Sequence, residues 1–248
     1  MFSKTTKAFI LIASALSVGA IPAPASPCAD VHIIAARAST ELPGAGIIGA
    51  LVNQVQLQSR QTVSTDSVDY PATLTNYAAS SAAGTAATKT LLTNQAGRCP
   101  NQKIVLVGYS QGAHIIGDAV AGGGGAIGLG VQTPPVSATI ANRGEDQRPQ
   151  RRASNKTEKT LLVNAIVQMG DPRHVPLQPF DKGTSIRNGL FPRLASQQYS
   201  STLQGRIQSF CDFNDPFCDS GLDTVVHLTY LDRYQNQAAQ FILQQIGG

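Results

Sequence analysis

The segment G-Y-S-Q-G, residues 108–112, places a serine between two glycines directly after an aliphatic run. The run Lys103–Tyr109 has the continuous apolar pattern of a buried strand, and the residues after Ser110 suit a helix. In such a strand–turn–helix unit, the glycines make room for a sharp turn that presents the serine hydroxyl at the edge of the sheet. The helix N-terminus beside it favours developing negative charge. G-x-S-x-G alone has low specificity, but in this context it predicts that Ser110 is a nucleophile.

A nucleophilic serine needs a base, and in this unit the acid and then the histidine follow the serine along the chain. Three histidines lie downstream, at His114, His174 and His227. His114 lies one helical turn after Ser110, where we expect it on the helix surface, and His174 is expected to be a loop residue. His227 precedes the last predicted helix and is the best-placed base. Spacing alone is equally compatible with a structural role for His227.

Candidate acids cluster in one short segment after a predicted strand. Cys211 and Cys218 flank a loop that contains Asp212 and Asp215, and Asp219 follows directly. A disulfide closing this loop would hold a carboxylate in a fixed position, as an acid that orients a histidine requires. The spacing leaves the choice among the three carboxylates open.

Apolar runs predict the elements that position these residues. The expected strands are Val31–Ala36, Val63–Tyr70, Lys103–Tyr109, Leu161–Gly170 and Arg206–Cys211. Helix-like sequences lie between them, and strands that alternate with helices indicate a parallel, doubly wound sheet. We therefore expect an α/β fold, a three-layer sandwich with a mostly parallel five-stranded central sheet. No internal repeat is present, so residues 26–248 are interpreted as a single domain.

The first 25 residues have the pattern of a secretory signal peptide. Lys4 and Lys7 precede the apolar run 8–20, and the small residues of Ala23–Ala25 follow. This run is shorter than the roughly 20 residues that span a bilayer. We expect a secreted, extracellular protein with no membrane attachment after the signal is removed.

Charge and composition exclude one class of partner. The formal net charge is only +4, which argues against nucleic acid as the main partner. A basic cluster, Arg143–Lys159, is interpreted as a solvated loop. It contains Asn155 in N-K-T, a candidate glycosylation site.

The chain has four cysteines, an even number that predicts two disulfides in a secreted protein. Three pairings are possible. Zinc binding is disfavoured because the spacings lack C-x₂-C and the compartment is oxidising. We expect no metal and no organic cofactor.

Four blocks of the sequence, in order, resemble the secreted fungal cutinase and acetylxylan esterase family, a carbohydrate esterase family 5-like group of serine esterases. They are Cys28–Glu41, Cys99–His114, Met169–His174 and Cys211–Tyr230. Together they extend over nearly all of the expected mature chain. Jointly they are far more specific than G-x-S-x-G.

This resemblance implies a fold of the cutinase-like α/β-hydrolase type and a role for each matching residue. The matches are Ser110 as nucleophile, Asp215 as acid, His227 as base, the Ser39 hydroxyl and amide with the Gln111 amide as oxyanion hole, and the disulfides Cys28–Cys99 and Cys211–Cys218. Ala38 departs from the glycine of many cutinases, and the 143–159 insert departs from a shorter link.

The resemblance also implies hydrolysis of carboxylic esters, with polymeric or small esters as substrates. The sequence gives no indication of an oligomer, so we expect a monomer. The segment F-C-D-F-N-D-P-F-C, residues 210–218, favours an acetylxylan esterase. Val225 and Val226 could instead form an apolar rim beside His227, which would favour a cutinase, or could pack the last helix. Deacetylation of xylan is the preferred hypothesis, cutin hydrolysis is the alternative, and a non-catalytic cell-wall-binding protein on this scaffold is a third.

Overall fold

The computed structural model describes residues 28–137 and 163–247. The predicted signal segment 1–25, the 143–159 insert and Asn155 lie outside the described residues.

The core of the protein is a parallel sheet with the strand order β2-β1-β3-β4-β6-β5. The strands are β1 Val31–Ala36, β2 Val63–Ser67, β3 Lys103–Tyr109, β4 Val163–Met169, β5 Asp181–Lys182 and β6 Ile207–Phe210. Every neighbouring pair in this sheet is parallel. The central strands β1, β3 and β4 are buried along nearly their whole length, which is why they have uninterrupted apolar sequences.

The expected α/β fold is confirmed, but the expected number of five strands is wrong. The sixth strand, β5, has two residues and pairs with Ser209 and Phe210 of β6. So short a strand produces no hydrophobic pattern, and the sequence could not predict it. The second strand ends at Ser67 rather than Tyr70, at an edge of the sheet where its residues are largely exposed.

Helices cover both faces of the sheet. The α-helices of the described residues are α1 Gly49–Gln58, α2 Tyr77–Arg98, α3 Gln111–Ala121, α4 Ser201–Gln204, α5 Thr224–Leu228 and α6 Tyr230–Ile246. On one face, α1 and α6 pack together and their apolar side chains meet Ile33, Val105 and Val167 of the sheet. On the other face, α2 and α3 pack together over Ile34 and Leu106.

His114 is buried rather than on the helix surface, and the prediction for this residue is wrong. Every residue of α3 is buried because α2 and the following loop cover the helix. The His114 ring lies between the Tyr77 hydroxyl, 2.9 Å from Nδ1, and the Asp118 carboxylate, 3.1 Å from Nε2. Both ring nitrogens of His114 therefore have hydrogen-bond partners other than Ser110.

The connections after β1 and β3 leave the sheet in opposite directions. The chain passes from β1 to α1 on one face, and from β3 to α3 on the other. Neighbouring parallel strands whose connections diverge leave a crevice at their carboxyl ends, where α/β proteins bind ligands. The loop after β1 and the turn at Ser110 face each other across this crevice.

Two disulfides link the described segments. Cys28–Cys99 joins the residues before β1 to those after α2, and Cys211–Cys218 closes the loop after β6. This is the pairing that the resemblance implies. None of the helices within residues 28–137 and 163–247 has the length and hydropathy needed to cross a membrane.

The two disulfides should contribute differently to stability. They bridge 71 and 7 residues, and loop-closure entropy assigns about 4 kcal/mol to the longer loop and about 2.5 kcal/mol to the shorter. We expect Cys28→Ser/Cys99→Ser to lower the free energy of unfolding more than Cys211→Ser/Cys218→Ser. Unfolding of both variants in guanidinium chloride measures the two free energies of unfolding, and each variant is the control for the other. Equal losses would contradict the loop-entropy explanation.

Candidate active site

Ser110 lies in a strained turn between β3 and α3. Its backbone has φ 54° and ψ −118°, a region that non-glycine residues rarely occupy. A Cβ at Gly112 would overlap the carbonyl oxygen of Ala36, and one at Gly108 would overlap the backbone of Gly112. The Ser110 amide also donates to the Met169 carbonyl at 2.8 Å. The glycines thus allow the close approach that holds the hydroxyl at the mouth of the crevice.

His227 connects Ser110 to Asp215 through its two ring nitrogens. Nε2 lies 2.9 Å from the Ser110 Oγ, and Nδ1 lies 2.8 Å from the Asp215 Oδ2. Because a carboxylate can only accept, Nδ1 carries the proton, and Nε2 is free to accept from the serine hydroxyl. Gly170, with φ 64°, packs against the ring, where a side chain would collide with it. The structure therefore brings the three predicted residues together in a hydrogen-bonded chain.

Asp215 is fully buried and accepts four hydrogen bonds. The amides of Phe217 and Cys218 donate to Oδ1 at 2.7 and 3.0 Å, and the Tyr230 hydroxyl joins His227 at Oδ2, at 2.9 Å. Burial alone would raise the pKa of Asp215, but the bond from His227 and the two amides hold this pKa below its usual value. The carboxylate therefore remains ionised beside the imidazole.

The other two carboxylates of this segment have different partners. Asp219 accepts from the Ser185 hydroxyl at 2.6 Å and from the Arg187 guanidinium at 3.0 Å, which fastens a neighbouring loop to the acid loop. Asp212 pairs with Arg233 of α6 at 2.9 Å. Neither contacts His227, so the geometry selects Asp215 among the three candidates.

Ser39 and Gln111 approach each other across the crevice. The Ser39 hydroxyl donates to the Gln111 Oε1 at 2.9 Å. Within the described part of the chain, the backbone amides of Ser39 and Gln111 donate no hydrogen bond. Gln111 begins α3, so its amide is at the positive end of the helix dipole. Two free amides beside a nucleophile can bind the oxyanion of an acyl-transfer intermediate.

Buried polar contacts fix the loop that carries Ser39. The Glu41 carboxylate accepts from the Ala38 amide at 2.6 Å and from the Ile47 amide at 2.8 Å. Arg37 is buried and donates to the carbonyls of Glu41 and Val68 at 3.0 and 3.2 Å. Ala38 is not among the residues with positive φ, so a glycine is not required there.

A buried charge network supports the loop after β4. Asp118 accepts from Arg173 at 3.2 Å and from Arg193 at 2.8 Å, and Arg193 also contacts Asp171 at 3.4 Å. Although burial opposes ionisation of Asp118, His114 and the two guanidinium groups lower its pKa to about 2. The side chains of Asp171 and Arg173 therefore anchor the loops behind the site, whereas the backbone of Met169 and Gly170 contacts Ser110 and His227.

His174 is buried in this region and does not reach Ser110. Its Nδ1 lies 3.7 Å from the Asp181 Oδ1, and burial lowers the pKa of His174. Burial also raises the pKa of the Asp181 carboxyl to about 6. Within the described residues, the Asp181 Oδ1 has no hydrogen-bond partner.

An aromatic side chain borders the His227 ring, and two valines precede His227 in its helix. Phe217 is half-buried and packs against this ring, with 4.4 Å between the centroids. Val225 is 64% exposed, whereas Val226 is half-buried. Val225 therefore does not pack the last helix, and Phe217 narrows the space beside the base.

Sequence reasoning assigned no role to several residues that contact the triad. Tyr230 follows His227 by three residues, at the start of the next helix, and this short spacing was the available signal. Phe217 follows Asp215 by two residues inside the disulfide loop, but no pattern distinguishes it from a packing residue. Tyr109 and Glu41 belong to the quoted blocks, and their contacts become visible only in the structure. No group of potential metal ligands is found within the described residues.

The pKa of Asp181 leads to a prediction about stability. A folded-state pKa of about 6, above the ordinary value of 3.8, means that this carboxyl destabilises the fold increasingly as the pH rises through that interval. Asp181→Asn should therefore be more stable than wild type at pH 8, by about 1–2 kcal/mol after solvent screening. At pH 4 the two proteins should be nearly equal.

Urea unfolding at both pH values measures the effect of Asp181→Asn. Asp69→Asn, which removes an exposed carboxylate, is the matched control. A gain of the same size at pH 4 and pH 8 would contradict the electrostatic explanation.

Comparison with known proteins identifies the family of this chain. The cutinase family model matches residues 27–246. Acetylxylan esterase 2 of Talaromyces purpureogenus is 30% identical over 95% of this chain and 97% of its own. Cutinase 11 of Verticillium dahliae is 32% identical over 97% of this chain and 77% of its own. The catalytic core of the acetyl xylan esterase from Trichoderma reesei superimposes with a TM-score of 0.75 at 32% identity, over 88% of this chain and 100% of that one. The expected family is confirmed, and the chain belongs to the cutinase family of carboxylic ester hydrolases.

Proposed function

We propose that this protein is a secreted esterase that hydrolyses carboxylic esters through Ser110, His227 and Asp215. The observation that carries this proposal is the chain of hydrogen bonds from the Ser110 Oγ through His227 to Asp215, at 2.9 and 2.8 Å. Free amides at Ser39 and Gln111 lie at the same crevice. Nucleophile, base, orienting acid and oxyanion donors are the parts that acyl transfer requires.

In the first half-reaction, His227 Nε2 takes the proton of Ser110 while the Oγ bonds to the ester carbonyl carbon. The carbonyl oxygen becomes an oxyanion that the amides of Ser39 and Gln111 bind, and we expect the Ser39 hydroxyl to turn from the Gln111 side chain towards it. The carbon–oxygen bond to the alcohol then breaks, and His227 returns the proton to the leaving alcohol.

In the second half-reaction, water attacks the acyl-enzyme. His227 removes a proton from the water, a second oxyanion forms in the same hole, and Ser110 leaves with the proton that His227 returns. Asp215 keeps the imidazole in the required tautomer and stabilises its charged form in both steps. No metal or organic cofactor takes part in this scheme.

We propose short acyl groups, and acetate on xylan above all, as the substrate. The Phe217 ring lies against His227, so it limits the space beside the carbonyl that the base must reach. The match to acetylxylan esterase 2 over nearly the full length of both chains supports the same choice.

Cutin hydrolysis is the second candidate, and one observation favours it. Val225, Leu222 and Phe213 present exposed apolar surface on the segment that carries Asp215 and His227. Apolar surface beside a site can accept a long acyl chain. The match to cutinase 11 is equally strong in identity.

The same proposal separates this protein from a non-catalytic cell-wall-binding protein on the same scaffold, because no member of the triad is replaced. We further propose that the protein acts outside the cell as a monomer. The disulfides suit an oxidising compartment.

Ser110→Ala should abolish ester hydrolysis and leave the fold intact. Loss of a triad nucleophile lowers kcat by about 10⁴-fold or more. Among the described residues the Ser110 hydroxyl has its one hydrogen bond with His227, so removing it should change the melting temperature little. Ser67→Ala, at an exposed position on β2, is the control and should retain full turnover. Hydrolysis of p-nitrophenyl acetate by a folded Ser110→Ala protein at the wild-type rate would refute the proposed nucleophile.

The choice between the two substrates is tested by chain length. We expect kcat/KM to fall from p-nitrophenyl acetate through butyrate to palmitate, and acetate to be released from acetylated xylan. Phe217→Ala should raise the ratio of butyrate to acetate hydrolysis by about 10-fold, because it opens the space of several methylene groups. Leu57→Ala, which truncates an exposed apolar side chain on α1 rather than on the acid loop, should not change this ratio. Wild-type turnover that rises with chain length, with release from a cutin film but not from xylan, would establish the cutinase alternative.

A further inference from the structure

Two buried tyrosines contact the acid and the base of the triad. Tyr109 and Tyr230 are 1% and 0% exposed. Their rings meet edge to face with 6.1 Å between centroids, and they lie 5.8 and 6.3 Å from the His227 ring. The two rings thus form one wall of the cavity that encloses the imidazole.

The hydrogen bonds around Tyr230 fix the direction of its hydroxyl proton. The Asp212 amide donates to the Tyr230 oxygen at 2.8 Å, so that oxygen acts as an acceptor there. Its own proton is then directed to the Asp215 Oδ2 at 2.9 Å. The neighbouring Cys218 Sγ, 3.2 Å away, is in a disulfide and cannot donate. Tyr230 and His227 therefore donate to the same carboxylate oxygen.

Tyr109 repeats this arrangement on the backbone of the base. The Tyr230 amide lies 3.4 Å from the Tyr109 hydroxyl and donates to it, and this hydroxyl donates to the His227 carbonyl. Tyr109 is also the residue directly before Ser110. One side chain therefore ties the backbone of the base to the strand that ends in the nucleophile.

We propose that Tyr109 and Tyr230 are positioning residues that set the orientation of the His227 imidazole relative to Ser110. This inference rests on the proposed ester hydrolysis and extends it to two side chains that would not touch the substrate. Tyr230 fixes the carboxylate plane to which Nδ1 donates, and Tyr109 fixes the backbone from which the ring projects.

The hydroxyls remain donors over the working pH range. Burial, and then the charge of Asp215, raise the pKa of Tyr230 well above its usual value. Burial likewise raises the pKa of Tyr109. Neither hydroxyl therefore loses its proton where a neutral histidine is required as base.

The variants Tyr230→Phe and Tyr109→Phe each remove one hydroxyl and keep the ring. If the hydroxyls orient the imidazole, kcat should fall by about 10-fold in each variant, while KM stays within about two-fold, because no substrate contact is lost. Tyr199→Phe is the matched control. Tyr199 is equally buried and donates one hydrogen bond, at 3.0 Å to Gln168, away from the triad. The Tyr199→Phe variant should lower the melting temperature about as much as the other two variants do, and it should leave kcat unchanged.

A second readout reports on Ser110 without any ester substrate. Diethyl p-nitrophenyl phosphate reacts with an activated serine. The Oγ bonds to phosphorus, the bond to p-nitrophenolate breaks, and His227 takes the hydroxyl proton. We expect the bimolecular rate of this step to fall in Tyr230→Phe and Tyr109→Phe by the same factor as kcat, and to be unchanged in Tyr199→Phe.

A double-mutant comparison distinguishes positioning through Asp215 from a general effect on the fold. When Tyr230→Phe is added to Asp215→Asn, kcat should fall by less than about two-fold, because the carboxylate through which the Tyr230 hydroxyl acts is absent. The inference would be overturned if Tyr230→Phe lowered kcat by the full 10-fold in the Asp215→Asn protein. It would also be overturned if Tyr199→Phe lowered kcat as much as Tyr230→Phe does.

The wild-type protein separates the two levels of the proposal. Failure of wild type to react with the phosphate triester at Ser110 would refute the proposed function itself. Reaction of wild type together with unchanged rates in both tyrosine variants would refute only the role of the tyrosines.

Discussion

The close approach of the turn after β3 to the end of β1 is the constraint on which the site depends. A side chain at residue 112 would overlap the carbonyl oxygens of Ala36 and Arg37, so only glycine allows α3 to begin there. This contact brings the first amide of α3 next to the loop that carries Ser39. It also forces Ser110 into a conformation that costs on the order of 1–3 kcal/mol, which the paired strands on both sides sustain.

The acid loop illustrates how a buried charge is made tolerable. Asp215 is removed from water, which would be costly for an isolated carboxylate. Four donors replace the lost hydration, two from the backbone of its own loop and two from side chains that follow within 15 residues. The loop can fold over these donors because Cys211 and Cys218 close it, while Asp212 and Asp219 fasten its ends to α6 and to the neighbouring loop. Each of the three carboxylates thus has a separate task.

Much of this arrangement could be predicted from the sequence, and the residues that could not be predicted have a common physical cause. The strands β1 and β3 were found at their observed bounds because burial on both faces gives an unbroken apolar run. The same rule fails for β5, which is too short to show a pattern. The surface position expected for His114 is wrong because helical spacing does not reveal that α3 lies between the sheet and α2 and is buried along its whole length. The choice of Asp215 needed the family resemblance, since Asp212 and Asp219 are equally acidic and equally close in sequence. The contacts of Tyr109 and Tyr230 join distant positions, because Tyr109 lies 118 residues before His227 and Tyr230 lies 15 residues after Asp215. The sequence pattern around each tyrosine does not reveal these contacts.

The strand order has a consequence for how the protein acquires its activity. Ser39 follows β1, Ser110 follows β3, and the acid and base follow β6, so the site draws on strands at both ends of the chain. Parallel strands cannot be joined by tight hairpins, and such non-local pairing makes folding slow. No two of these three strands carry the proposed nucleophile, oxyanion donors, acid and base together, and β4 lies between β3 and β6. Recovery of turnover during refolding should therefore mark the assembly of the sheet from β1 to β6 rather than the formation of any one strand pair.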